Sequence, residues 1–462
     1  MTLALTPLLQ RFAERTPLPV MVRGILERCL NPERLDAWFE RTAEHQYTRT
    51  LLFSTVFDLL SQVVCRQQPA VKAAYQAALE SIGVSLTSVY NKLNGVEPGT
   101  SAALVRYSAE QAQALVQEMP AAARPVRLAG YVLRVLDGNS LAAREHRLLE
   151  TRRCTAAPLP GKSLVVFDPA LELMLDIVPG EDAYTQERAL LAEVLPKVQA
   201  GELWLMDRNL APKGFQWGLI ERGAHFLTRE HEQLRFEPLE PMHWVGRCPS
   251  GQVAEQRVRV EDGEHCWELR RLRLDLDTPT REGERTLYLL TSLPAEAAQA
   301  PELAELYLTR WTVEKALLHL TVELQCEINT LGYPRAALFG FACAAVAFNT
   351  LGVVKAALRA AHGVERVDHE VSGYYLVNDL VHQSESLEAM VEAEDWAVFR
   401  TVTASVMAAW LIAQAARLDL RRYRKHPRGP KKAPPKRVHD PKHPHVSIAR
   451  LLTQRKKPLT AP

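Results

Sequence analysis

YVLRVLDGNSL, residues 131–141, is a run of Val and Leu that closes on Asp137-Gly138. Apolar, β-branched density over so few residues predicts a buried strand, and the Asp-Gly pair predicts its end. Two more strand-like runs follow, SLVVFDP and LELMLDIV, with a turn near Pro169 between them. TQERALLAEVLPKVQAG then predicts a helix, and ELWLMD (202–207) a second buried strand that ends on Asp207. GFQWGLIERG reads as a helix and AHFLTRE as a strand. Three strands, helix, strand, helix, strand is an α/β pattern with a ribonuclease-H-like core. That core is expected over 125–230 and again over 285–350, where TLYLLTSLP resumes the apolar rhythm.

Outward from that core, residues 231–284 break the rhythm. Runs such as QVAEQRVRVED and HCWELRRLRLDL alternate apolar residues with Arg and Glu, which predicts a small β insertion. A long helix is expected from about Pro301 to Ile328, with Pro301 in its first turn. Further packed helices fill 351–420. The apolar stretch from Ala336 to Val354 contains Asn349 and Thr350 and is rich in small residues, so a buried helix is expected rather than a membrane span. Residues 1–120 read as a helical domain, with helical periodicity in LLFSTVFDLLSQVV, AVKAAYQAALESIG and AALVRYSAEQAQALVQEM. Between the last two, Ser85 can cap a short helix ending at Asn94-Gly95 that turns Thr87, Ser88, Asn91 and Lys92 to solvent. A helix, a tight break and a short polar helix has the shape of a helix-turn-helix DNA reader. The corner of an ordinary helical bundle has the same pattern.

The chain has 462 residues, 47% apolar and 24% charged. That composition excludes a wholly disordered chain, a collagen-like repeat and a small disulfide scaffold. The seven cysteines are scattered and form no C-x-x-C pair, which argues against a zinc site and for a reducing compartment. The first residues, MTLALTPLLQRFAERTPLP, have polar breaks unlike a signal peptide, and a cytoplasmic protein is expected. The net charge of +2 hides an asymmetry. Residues 417–462 hold fifteen Lys and Arg against two Asp, or +13, which leaves the preceding 416 residues at −11. Pro, Lys, Arg and His dominate 421–462, so that tail is expected to be flexible on its own. An acidic body with a basic tail suggests a polyanion partner; a solubilising tail would look the same.

Three acidic residues stand out by position. Asp137 and Asp207 each close a nearly all-apolar strand, which puts them at the crevice where α/β sheets bind ligands. Glu314 lies in YLTRWTVE, residues 307–314, and at 100° per residue Tyr307, Arg310 and Glu314 share one stripe of the expected helix. Taken singly, each has an ordinary explanation: a turn cap, a surface ion pair, a core position for Trp311. Brought together, three carboxylates repel one another unless cations lie between them. Oxygen-only ligation suits Mg²⁺, with Mn²⁺ able to substitute. Two such ions about 4 Å apart serve phosphodiester chemistry. Arg144, Glu145 and His146 follow the first Asp and are expected to form a solvated polar turn.

At these residues the chain resembles the DDE transposases of bacterial insertion sequences, specifically the insertion-sequence-four family. The family has Asp-Gly and a small polar residue on the first strand, here Asp137-Gly138-Asn139-Ser140. Its second Asp follows an apolar strand and precedes Arg, here Asp207-Arg208. Its third signature is Tyr-x2-Arg-x3-Glu-x6-Lys, matched by Tyr307, Arg310 and Glu314, with Trp311 and Val313 in their usual places. Thr321 stands where the signature has Lys. The resemblance spans roughly 130–350. It implies that Asp137 bridges two Mg²⁺ ions, that Asp207 and Glu314 each complete one, and that Tyr307, Arg310, Arg208 and Trp311 contact DNA. It further implies cleavage at the terminal inverted repeats, passage through a hairpin, and transfer of the freed 3′-OH into target DNA by a homodimer on paired ends. In this family the β insertion helps hold a flipped base, for which Trp217, Trp244 and Trp267 are the aromatic candidates, each equally at home in a small β core. Ser88, Asn91 and Lys92 are the candidate end-binding residues of the N-terminal domain. Two other readings share these residues: a silenced transposase-derived DNA-binding protein, which Thr321 favours, and a hydrolytic nuclease on the same fold.

Overall fold

A computed structural model of the protein describes residues 3–46, 50–125, 128–141, 148, 151, 158–280, 283–328, 330–426 and 446–456. Arg144, Glu145, His146 and most of the basic tail lie outside them. Seven helices open the chain: α1 (Pro7–Arg15), α2 (Pro17–Leu30), α3 (Pro32–Thr42), α4 (Phe53–Val64), α5 (Val71–Ala77), α6 (Leu86–Gly95) and α7 (Pro98–Gln117). Four of them carry Pro in the first turn, where its missing N–H costs nothing. The strands follow: β1 (Val132–Leu141), β2 (Pro158–Leu159), β3 (Gly161–Asp168), β4 (Leu173–Gly180) and β5 (Glu202–Met206). After α8 (Lys213–Glu221) come β6 (His225–Arg229), β7 (Glu237–Pro238), β8 (His243–Cys248), β9 (Gly251–Asp262), β10 (His265–Leu276) and β11 (Thr286–Thr291). The rest is helical, α9 (Ala300–Leu308), α10 (Trp311–Val322), α11 (Pro334–His362), α12 (Val364–Glu370), α13 (Gly373–Met390) and α14 (Ala404–Ala415), until β12 (Val446–Ser447) and α15 (Ile448–Lys456).

The strands build a mixed ten-stranded sheet in the order β4-β3-β1-β5-β6-β11-β10-β9-β7, with β8 also paired to β9. β1, β3 and β4 are an antiparallel meander, and β5 and β6 run parallel to β1. Both faces are buried in the central strands, and the period-2 alternation of β1 shows it. Val135 joins the large core shared with the helices, whereas Leu136 joins a second core with Met206, Phe215 and Leu219. α7 and α11 cover the first face at β4. α11 is long and apolar enough to cross a membrane, but 83% of its most apolar window is buried inside the protein. Buried charges lock it to the β3–β4 turn, where Glu172 pairs with Lys355, Arg359 and Arg124.

Four expectations change. β1 does not end at Asp137 but runs on to Leu141 along β3, while its partner β5 stops opposite Leu136. The helix expected over 185–201 is two short 3₁₀ turns, Glu187–Glu193 and Leu195–Lys197, because Pro196 cannot sit in a helix interior. Residues 231–284 are β, yet β9 and β10 do not stand apart: β11 pairs β10 on one side and β6 on the other and so joins them to the main sheet. The tail is not wholly irregular, since β12 pairs with β2 and Ser447 and Arg450 both bond the Asp182 carboxylate at 2.7 Å.

Candidate active site

The last parallel pair between β1 and β5 is Leu136 with Met206. The next residue on each strand is an aspartate: Asp207 just past the end of β5, and Asp137 within β1 at the point where its parallel pairing with β5 stops. Asp137 accepts a hydrogen bond from the Gly138 amide at 2.9 Å. α10 packs against β1 and brings the third carboxylate, Glu314, from its first turn.

Tyr307, Arg310 and Glu314 do not share one continuous helix. α9 ends at Leu308 and α10 begins at Trp311. Between them the amides of Thr309, Arg310, Thr312 and Val313 each reach only three residues back, and the Thr309 hydroxyl donates to Leu306 O at 2.7 Å. A Thr bonding back to its own helix competes with the regular ladder, and the chain tightens there into a 3₁₀ turn. Thr321 faces solvent and donates to Leu317 O.

Arg310 sits in the tightened turn and is 8% exposed. Its Nη1 lies 3.2 Å from Asp137 Oδ2 and its Nη2 lies 3.0 Å from Glu314 Oε1. Its Nε is buried without a hydrogen-bond partner among the described residues. Burial pushes Asp137 up to about 6; Arg310 and the Gly138 amide oppose that shift, while Glu314 and Asp207 add to it. Burial also pushes the Tyr307 hydroxyl up to about 12. One guanidinium thus joins Asp137 and Glu314, and Asp207 lies within electrostatic reach of Asp137 and Arg310. Their oxygen-only chemistry suits Mg²⁺ or Mn²⁺. With Arg310 in place, however, no three His, Cys, Asp or Glu side chains among the described residues lie close enough to share an ion. Arg310 stands where the carboxylates call for a cation.

Two residues that the sequence did not single out border this crevice. A Cβ on Gly138 would lie 2.5 Å from Glu187 Oε1, so a fourth carboxylate rests on the residue after Asp137. Arg229, at the end of β6, pairs with Glu284 and lies within electrostatic reach of Tyr307 and Asp207. A strand ending in Arg beside the second Asp was the only signal for it, and nothing in the sequence marked Glu187.

The remaining candidates are dispersed. Arg208 follows Asp207 and pairs with the exposed Glu232 at 3.2 Å. Trp311 is partly exposed beside Arg310. Of the three insertion-side tryptophans, Trp267 is buried and Trp217 stacks on His265 at 4.6 Å between ring centroids; Trp244, 54% exposed on β8, has an open face. On α6, the Ser85 hydroxyl caps the Ser88 amide at 3.2 Å, and Ser88 and Asn91 are exposed. Lys92 is not turned fully to solvent: its Nζ lies 4.7 Å from the centre of the Phe39 ring.

No family model matches the chain, and no curated protein matches it. Among solved structures it is similar to the piggyBac transposase of a cryo-EM synaptic complex with hairpin DNA. That likeness has a TM-score of 0.40 and 12% identity over 84% of this chain and 85% of the other, a distant one that carries no argument about activity.

Proposed function

We infer that the chain is a metal-dependent DNA transposase built on a ribonuclease-H-like core. One observation carries the reading: Asp137 and Asp207 are the next residues where the parallel pairing of β1 with β5 stops, and Arg310 draws Glu314 toward Asp137 from the helix beyond the sheet. Asp137, Asp207 and Glu314 are the groups that would hold Mg²⁺, or Mn²⁺ in its place. When bound, such ions supply the charge neutralisation and the activated nucleophile that phosphodiester cleavage needs. Arg310, with a planar donor fork suited to phosphate, and Tyr307 beside it, hold the DNA end. Arg208 and Trp311 directly follow Asp207 and Arg310 in the chain, and Trp244 offers the exposed ring for an extruded base. Ser88 and Asn91 on α6 are the candidate readers of the terminal inverted repeats. Paired ends call for a homodimer, and the freed 3′-OH then attacks target DNA.

The test is cleavage of plasmid DNA that carries the sequence flanking the reading frame, with Mg²⁺, comparing the native chain with Glu314→Gln. The native chain cuts the flank, and Glu314→Gln binds the ends without cutting. Cleavage by both rejects the role of Glu314. Thr321 in place of the signature Lys favours a second reading, a silenced transposase kept for DNA binding. Binding without cleavage by both proteins would establish that one.

A further inference from the structure

Arg310 is bonded in a way that its proposed task does not require. A residue kept only for DNA phosphate would wait exposed at the mouth of the crevice. Arg310 is instead almost wholly buried and uses both Nη groups on carboxylates from two different elements, Asp137 of β1 and Glu314 of α10. Those carboxylates are two of the three residues assigned to the metal. A guanidinium and a divalent cation compete for the same pair of carboxylates, because the two positive charges repel at contact distance. The arrangement is also incomplete, since the buried Nε donor goes unused among the described residues. A buried donor without a partner is unfavourable, and a phosphate accepts two parallel bonds from one guanidinium. Arg310 lies at the junction of α9 and α10, at the start of the helix that carries Glu314, so a move of Arg310 bears directly on that carboxylate.

We propose that Arg310 is a counter-ion latch: in the DNA-free chain it holds Asp137 and Glu314 in place of a divalent cation, and a phosphate of bound DNA draws it away and opens both carboxylates to the metal. The proposal rests on the carboxylate reading above and adds an order of events. Metal affinity and DNA affinity are coupled, by equal factors in both directions.

The test is a titration of Mn²⁺ into the metal-free full chain without DNA, with the free ion followed by its electron paramagnetic resonance signal. Arg310→Gln removes the competing charge and binds Mn²⁺ about tenfold more tightly than the native chain. Arg310→Lys falls between the two, because one ammonium can hold only one of the carboxylates in good geometry. A duplex of the flanking DNA tightens Mn²⁺ binding to the native chain by about tenfold and to Arg310→Gln by less than about twofold. Should Arg310→Gln fail to fold, Arg310→Lys decides, and a lysine variant that binds Mn²⁺ no more tightly than the native chain overturns the latch. So does a folded Arg310→Gln of unchanged or weaker affinity. Asp137→Asn separates this failure from that of the underlying reading: if it leaves Mn²⁺ binding intact, the metal site itself is wrong.

Discussion

Burial, with Glu314 and Asp207 facing it, pushes Asp137 up to about 6 although Arg310 and the Gly138 amide pull the other way. In the unfolded chain an aspartate titrates near 4. The folded state therefore holds this proton more tightly than the unfolded state does. The resulting stability is fully present below about pH 4 and is lost as pH rises through about 6. Asp137→Asn, which cannot ionise, should match the native protein at pH 4 and melt higher above pH 6 in metal-free buffer. The difference is bounded at about 3 kcal/mol for a shift of roughly two units, less whatever Arg310 loses with its partner. Mg²⁺ should raise the melting temperature of the native chain and leave the variant unmoved, because only a ligand that binds the folded site stabilises it. Thermal melts at pH 4, 6 and 8 with and without Mg²⁺ check both halves. An equal effect of the substitution at all three pH values would remove Asp137 ionisation from the account.

At the scale of the element, α11 is the strut on which the sheet rests. Gly352 faces the β3–β4 turn so closely that a Cβ would lie 2.8 Å from Leu173 Cδ2 and 2.9 Å from Glu172 O. Gly352→Ala should therefore destabilise the fold despite the better helix propensity of Ala, by about 1–3 kcal/mol, as overpacking does. Urea unfolding measures it, and a stabilised variant would show that the strut is not held at that turn. The strands were legible in the sequence because apolar runs such as ELWLM stop at turn residues, and legible too was Asp207 at the end of β5; Asp137 lies within β1, because pairing with β3 carries that strand on to Leu141. The break at Thr309-Arg310 was not, since YLTRWTVE has helical periodicity throughout and only the hydroxyl of Thr309 reveals the competing bond. Pro196 was a visible sign against a helix over 185–201. Alternation in QVAEQRVRVED identified a strand but could not say which sheet it joins, because that depends on β11, far along the chain. Glu187 came to the crevice by tertiary packing alone, through a contact made possible by the missing side chain of Gly138.

Over the whole molecule the charge is divided, −11 before residue 417 and +13 after it. Residues 427–462 hold ten Lys and Arg and a single Asp. The chain on either side of 427–445 is tied to the body. Lys425 donates to Asp368 O on one side, and on the other Ser447 and Arg450 grip Asp182 while β12 pairs with β2. β2 leads directly into β3, and Gly180, close to Asp182, pairs with Lys162 across from Ser140, beyond Asp137 on β1. The return point of the tail is thus at the same end of the sheet as the carboxylates. Truncation after His426 removes both the positive charge and the second tie, and the two effects have different signatures. If the basic residues bind DNA phosphates, each phosphate no longer neutralised reduces the slope of log affinity against log salt concentration by about 0.9 for duplex DNA. A slope shallower by about five, with affinity falling most at low salt, is the expected outcome from fluorescence anisotropy on flanking-sequence duplexes. If the segment serves only to strap β12 to β2, the slope stays the same and the melting temperature falls. We expect the change in slope, because an acidic body that must approach a polyanion needs cationic residues to do so, and residues 427–462 hold ten Lys and Arg against one Asp.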